Sequence, residues 1–492
     1  MSELPQGWTW AHIADVVQKV SNIKPQDRPN EEFGYVDISA VCNSTYRITE
    51  AKYFKGVDAP SRAQRPIQSG DVLFSNVRTY LRNIAIVSED DNVQVCSTGF
   101  TVLRSNEAVS SRYLFYYALS EDFISRVTPH QTGTHYPATS DQKVMSEVIA
   151  LPPLNEQRRI VAKLDAAMAR IEASRARLAQ VPTLLKKFRQ AVLSSACSGR
   201  LTADWRAQNP QATRLSHYSL ASNDELPHLP STWSYTHLTP LLSTKRRGMK
   251  TGPFGSALKK HEHQTTGVPV LGIENISEMF FVVGSKNHIT EEKAKELSEY
   301  DARPGDILIS RSGTVDEVCV VPEGLGEARI STNLIRVVLG EELMPIYFCF
   351  LFNGSPVVLE QVHSLCKGST RDFLNQTILS SILFPLPPLE EQREIVRRVA
   401  AMFKVADSLE ARCNVARAHV DRLSSATLAR AFRGELVPQD PSDEPADALL
   451  QRVKDESAKP KEPTARSRKV APLRRAASPR KRGAGSGTAT LF

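Results

Sequence analysis

LPPLNEQRRIVAKL (Leu151–Leu164) returns as LPPLEEQREIVRRV (Leu386–Val399), 235 residues later. The offset holds to the end of the segment, where Ser198-Gly199-Arg200-Leu201 faces Arg433-Gly434-Glu435-Leu436, so about 50 residues repeat without insertion or deletion. Length is kept while most side chains change, as expected of a spacer, and a repeat of this kind governs the reading of everything around it. Each copy reads as a long helix. The proline pairs at 152–153 and 387–388 close an extended run and open a helix, where a missing N–H costs little. Glu156 in one copy, and Glu390 and Glu391 in the other, suit a helix N-terminus. Apolar or small residues recur with spacings of four and three at Ile160, Leu164, Ala167, Ile171, Ser174, Leu178 and Val181. Ile395, Val399, Met402, Ala406, Leu409, Cys413 and Ala416 keep the same register. This is a heptad seam, which favours a supercoil between helices, and the shared register points to mutual, antiparallel pairing. Two unrelated amphipathic surface helices are the plainer alternative. Pro182 is expected to break or kink the first helix, and Gly199 to stop it.

Outward from the repeat, the 492 residues are enough for two or three domains. The apolar share of 41% is ordinary for a soluble chain, with no apolar run long enough to span a membrane. The first residues, MSELPQGWTW, lack the pattern of a signal peptide, and a cytoplasmic location is expected. Seven scattered cysteines without a C-x-x-C pair fit reduced thiols and argue against a structural zinc site. The net charge of +8 is unevenly spread: residues 457–492 hold ten Lys or Arg and one Glu, which leaves 52 basic and 53 acidic residues before them. The body is therefore not globally basic, and any nucleic-acid contact must come from local patches.

In chain order, residues 1–150 form a first domain with strands at Gly34–Ser39, Gly70–Ser75 and Asn83–Val87 and an amphipathic helix over Ser111–Ile124. The helical repeat 151–201 follows, then a polar linker, 202–228. The second domain, 229–385, parallels the first. Leu4-Pro5-Gln6-Gly7-Trp8 is answered by Leu229-Pro230-Ser231-Thr232-Trp233, and Gly70–Ser75 by Gly305–Ser310. Ser97-Thr98 finds Ser331-Thr332, and Gly133-Thr134 finds Gly368-Ser369. The second helical repeat, 386–436, a short helical extension over 437–456 and a basic tail, 457–492, expected to be disordered, complete the chain. The fold class expected is α+β: two similar α/β domains, each followed by a long helix, related by a pseudo-twofold. The run Leu154–Val181 would measure roughly 42 Å as a helix. That is of the order of the ~34–36 Å between two half-sites on one duplex face.

The two-domain, two-helix plan, the LPPLxEQRxIV openings, the Gly-Asp-(Val/Ile)-Leu strand and the ending Ala431-Phe-Arg-Gly-Glu-Leu-Val-Pro-Gln-Asp-Pro resemble the specificity subunits of type I restriction–modification systems. The resemblance covers about residues 4–455. It implies two target recognition domains, each reading one half of a bipartite DNA sequence, with the helices fixing the gap. It further implies two methyltransferase subunits seated on the helices and nuclease–translocase subunits joining that core. Because the stretches between the anchors differ, the two half-sites should differ too; identical reading surfaces would imply a palindrome.

Candidate DNA contacts follow from residue chemistry. Arg78, Tyr80, Arg82 and Asn83 lie between two strands; Arg reads guanine and Asn reads adenine, while either can hold phosphate. A solvated turn is the plainer reading. Thr134, His135 and Tyr136 align through Gly133 with Ser369 and Arg371, and the resemblance places both loops toward DNA. In the second domain Lys245, Arg246, Arg247, Lys250, Phe254, Ser256, Lys259 and Lys260 form the strongest basic stretch, suited to phosphate. Its Gly-Pro-Phe-Gly-Ser segment resembles one common in the recognition domains of that family. Arg311 is a weaker candidate. No glycine-rich methyltransferase loop, Asn/Asp-Pro-Pro-aromatic motif, phosphate loop or metal-ligand cluster is present in the sequence. A non-catalytic subunit is therefore expected, binding no cofactor itself, with S-adenosylmethionine, ATP and Mg on its partners. Two alternatives stay open: a coiled-coil scaffold that reads no bases, and a stand-alone DNA-modifying enzyme.

Overall fold

Val72–Ser75 is buried at all four positions, and its side chains alternate between two cores. Val72 and Phe74 point into a cluster with Trp8, Tyr113 and Phe123, while Leu73 enters another with Val36, Val87 and Phe100. A strand buried on both faces reads as a continuous apolar run, and its period of two divides it between layers. Ile307–Ser310 does the same in the second domain: Ile307 and Ile309 face one cluster and Leu308 another.

The computed structural model describes residues 3–211, 226–255, 257–277, 279–312, 317–366 and 373–458. The chain divides into two compact units, Met1–Met168 with Ser424–Phe492, and Ala169–Leu423. In the first, one four-stranded sheet has the order Lys52–Lys55, Glu32–Val36, Val95–Ser97, Ala63–Pro66. The other runs Val17–Gln18, Phe100–Ser105, Val72–Ser75, Ile84–Ile86. Thr9–His12 pairs antiparallel with Val148–Leu151, closing the domain where the helix begins. The second unit repeats this topology: Asn287–Ile289, Val268–Leu271, Ala328–Ile330, Asp301–Ala302 in one sheet and Met249–Thr251, Leu334–Val337, Ile307–Ser310, Val318–Val320 in the other. Ser234–His237 with Leu383–Leu386 is its closing pair. Among the described strands each domain has one parallel pairing within its sheets, Val95-Cys96 on Tyr35-Val36 and Val270-Leu271 on Arg329-Ile330. The expected Ser111–Ile124 helix is two, Ser111–Ala118 and Glu121–Val127, because Ser120 accepts from the N–H of Phe123 and caps a new start.

The two long helices, Leu154–Cys197 and Leu389–Phe432, have 44 residues each. Within the first unit Ile160 and Leu164 share a core with Leu428 and Ala431. Within the second, Arg175 pairs with Asp421, Arg189 with Asp407 and Glu410, and Val192 and Leu193 share a core with Ile395 and Val399. One index rises as the other falls, so the helices run antiparallel. Of the expected seam, Ile160, Leu164, Ile171, Ile395 and Val399 are buried, and Leu178 and Met402 are half-buried. Leu409 departs from it at 46% exposure, whereas Ala406 and Cys413 are buried. Each helix stops on a left-handed glycine, Gly199 and Gly434, both at φ 75°. A Cβ at either would also strike a proline of the Leu-Pro segment, Pro230 or Pro5.

Pro182 does not end the first helix, which continues through it. The missing N–H of Pro182 leaves the Leu178 carbonyl without its helical donor. Arg417 of the facing helix donates to that carbonyl at 2.8 Å, with the Cys413 thiol at 3.6 Å. R417M is therefore expected to cost roughly 1–2 kcal/mol in the native chain. The cost should nearly vanish in a P182A background, where residue 182 supplies the N–H. Thermal melting of the two single variants and the double variant checks this; additive effects would contradict it.

The Glu-Gln pair of the repeat acts as a fastening. Gln157 donates to the carbonyls of Ala108 and Pro152 and accepts from Ser110 N–H; Gln392 donates to those of Glu342 and Pro387 and accepts from Met344 N–H. Glu156 accepts from the Trp8 indole (3.1 Å) and Gln439 (3.3 Å). Glu391 accepts from the Trp233 indole (2.8 Å), Thr202 (2.6 Å) and Arg206. The expected linker from 202 thus begins with ordered structure, a helix over Ala203–Gln208. The extension after the second repeat is a helix, Ala446–Ala458. Among the described residues, no helix is long and apolar enough to cross a membrane.

Candidate nucleic-acid interface

Beyond Ser75 the first domain's central strand enters a loop that is laced to a second loop. Val77 bridges Ala138, Thr132 bridges Ala138, and Arg78 N–H donates to the Pro137 carbonyl at 2.8 Å. Beneath them Asn76 is buried, donating to Asp141 (2.9 Å) and accepting from Thr101 (2.7 Å). Arg78 and Arg82 both take left-handed backbone conformations, φ 47° and 54°, on either side of a single 3-10 turn, Thr79–Leu81. Non-glycine residues adopt that conformation at a cost, and such strain gathers at functional loops. The Arg78 side chain donates to the His135 carbonyl (3.2 Å) and its guanidinium lies 5.5 Å from the Tyr136 ring centroid. Gly133, at φ 104°, permits the tight return that brings Tyr136 back over Arg78. Arg78, His135 and Tyr136 are thus assembled from two separate stretches. Thr134, His135, Tyr136 and Tyr80 are exposed, and Asn83 is half-exposed. Arg82 is engaged by Glu121.

The second domain laces the corresponding loops at the same offset of 235, through a bridge between Ser312 and Phe373. Ser256, Ser369 and Arg371 lie outside the described residues. The basic stretch is less basic than its sequence suggests. Arg246 is drawn inward onto Asp306 (2.7 Å) and Asp301 (2.6 Å) and works as an internal cross-tie. Lys250 pairs with Glu299 and covers the Tyr300 ring, and Lys245 pairs with Glu341 at 2.8 Å. Sequence distance hid these carboxylates, which approach only through sheet pairing. Arg247, Lys259 and Lys260 remain exposed and suit phosphate.

Arg311 runs the other way: a weak candidate in the sequence, it is a buried cation set against two rings. It is 6% exposed, packs against the rings of Phe254 (4.9 Å) and Phe373 (4.3 Å), and donates to the Thr332 carbonyl at 3.2 Å. Burial lowers its pKa from the usual arginine value. No local sequence signal could have paired it with Phe373, which is 62 residues away.

Comparison with known proteins agrees with this architecture. Residues 5–183 and 254–415 match the family described as the type I restriction modification DNA specificity domain. The chain is 29% identical over 375 residues to the type I restriction enzyme EcoBI specificity subunit of Escherichia coli, covering 75% of each. It is 30% identical over 358 residues to the EcoDI specificity subunit of Escherichia coli, covering 70% of this chain and 76% of that one. Among solved structures, a chain described under the complex assembly and conformational transition of a type I R-M system superposes with TM-score 0.69 at 28% identity, covering 88% of this chain and all of that one. The HsdS subunit from Thermoanaerobacter tengcongensis does so with TM-score 0.59 at 28% identity, covering 88% and 98%.

Proposed function

The chain belongs to the type I restriction modification DNA specificity family and is a specificity subunit of such a system, and from that premise we propose that its two domains read the unlike halves of one bipartite DNA target. The observation that carries the asymmetry is the contrast at equivalent positions of one topology. Where the first domain places neutral Asn76, closed on Asp141 and Thr101, the second places the cation Arg311 against two rings. A shared scaffold with different donors at its reading loops specifies different bases.

The long helices fix the gap between the half-sites and seat two methyltransferase subunits, with nuclease–translocase subunits joining that assembly. Methylation and cleavage, with S-adenosylmethionine, ATP and Mg, belong to those partners. Exposed Arg247, Lys259 and Lys260 hold phosphates and set salt-dependent affinity; Arg78, backed by Tyr136, is the first domain's leading base-contact candidate.

Co-expression with the partner methyltransferase in a host lacking adenine methylation, followed by methylome sequencing, tests this reading. One bipartite, asymmetric adenine-methylated motif is expected. A palindromic motif would refute the asymmetry. No motif, together with binding indifferent to sequence at fixed salt, would favour the scaffold alternative.

A further inference from the structure

Among the described residues, the second domain's buried arginines are cross-tied to carboxylates, with one exception. Arg329 pairs with Glu327 at 2.6 Å, and Arg336 with Asp301 at 2.5 Å. Arg311, also buried at 6% exposed, has no carboxylate partner among the described residues, and its Nε, like that of Arg336, has no hydrogen-bond partner there. An unpaired buried charge is costly, and the two ring faces offset that cost only in part. The fold does not demand the charge, since neutral Asn76 fills the equivalent place in the first domain.

The surroundings are built to hold the group still. Arg311 N–H donates to the Asn333 carbonyl and its own carbonyl accepts from Leu374 N–H, both at 3.0 Å. The loop carrying Phe254 is pressed onto the neighbouring chain: a Cβ on Gly252 would lie 1.9 Å from the Ser331 carbonyl oxygen, and Thr332 Oγ1 donates to Pro253 O at 2.5 Å. Yet Phe254 and Phe373 are 59% and 41% exposed, so the stack opens at the surface. A guanidinium donates only in its own plane, and packing against two rings fixes that plane. Guanine is the base that offers two coplanar acceptors, O6 and N7, on its major-groove edge.

We propose that Arg311, packed against Phe254 and Phe373, reads a guanine in the half-site of the second domain. The inference rests on the DNA-reading function proposed above and names its chemistry at one position. A phosphate is the competing ligand for any arginine, but phosphate accepts from many directions and is served by exposed cations such as Lys259 and Lys260. A planar fork fixed by its packing suits directional readout.

The test uses the complex of this chain with its methyltransferase partner and duplexes carrying the methylome-defined target. Each guanine is replaced in turn by 7-deazaguanine, which removes N7 alone. One position in one half-site should weaken binding to the native complex roughly 10- to 100-fold. R311K keeps the charge and stem in the stack but loses the planar fork. It should bind guanine and 7-deazaguanine alike at that position, relax the methylated motif there, and leave the other half-site unchanged. An insensitive scan overturns the proposal even if R311K fails to fold. So does R311K with an unaltered motif, or with a loss that is uniform across sequences, the sign of a phosphate contact. Any of these leaves the DNA-reading function standing; that function fails only if the native complex methylates no defined motif.

Discussion

Glu391→Ala is expected to destabilise the second unit by about 3–5 kcal/mol, the cost of removing one partner from a buried ion pair. The carboxylate is fully buried and gathers three donors from three places in the chain. Trp233 begins the domain, Thr202 follows the end of the first long helix, and Arg206 lies in the short helix after it. Alanine would strand the indole N–H, the hydroxyl and a guanidinium that is only 17% exposed. Arg206 would keep its bond to the Gly199 carbonyl (2.6 Å), which does not neutralise its charge. Melting of the purified chain should show the loss; a shift of only a degree or two would mean that the fastening is ornamental.

The first unit supplies the control, because among the described residues its equivalent carboxylate makes no ion pair; the nearby Arg159 is paired with Asp443 instead. Among the described residues Glu156 accepts from the neutral groups of Trp8 and Gln439, and burial raises its pKa above the ordinary glutamate range. A carboxyl whose folded-state pKa is raised costs stability as pH rises from the ordinary value through the raised one, since the folded state then holds a buried charge. E156Q should therefore be nearly neutral at low pH and gain on the native chain as pH rises. E391Q should lose at neutral pH, where it breaks the pair with Arg206. Equal responses of the two variants would refute the distinction.

This difference between Glu156 and Glu391 marks what the sequence could and could not disclose. The repeat made the two helices, their antiparallel seam and the doubled domain legible, because heptad spacing and a constant offset are one-dimensional signals. Acidic residues in the first helical turn were legible as helix-start preferences, but their indole partners were not. Trp8 and Trp233 lie about 150 residues or more from their glutamates and meet them only through the domain-closing strand pair. The basic stretch Lys245–Lys260 misled for the same reason. Charge counts along the chain cannot see Asp301, Asp306, Glu299 and Glu341 returning through the sheets to neutralise three of its cations. Arg311 was undervalued because its two rings come from segments on either side of it. Leu409 was overvalued, since a heptad template assigns a seam position wherever the spacing fits, and here the pairing is carried by Ala406 and Cys413 instead.

Inserting four residues into each long helix at facing positions, after Arg175 and before Asp421, is expected to lengthen the gap in the target while leaving both half-site sequences unchanged. Four residues add about 6 Å of helix. Base pairs are spaced at about 3.4 Å, so the gap should grow by between one and two of them. The antiparallel pairing dictates that the insertions be matched. Arg175 binds Asp421, Leu178 O accepts from Arg417, and Arg189 binds Asp407 and Glu410. An insertion in one helix alone would hold the first of these pairs in register only by pulling the others about one turn apart. It would also separate Arg417 from the carbonyl that Pro182 leaves open, so the single insertion should melt lower and methylate poorly. With both insertions the seam tolerates the extra turn as a local unwinding. Methylation of the original target should then fall at least ~1,000-fold, toward the level of unspecific sites. Methylome sequencing of the matched variant decides the matter. A motif with the original gap would show that the helices do not set the distance, and altered half-site letters would show that the two domains do not read independently of it.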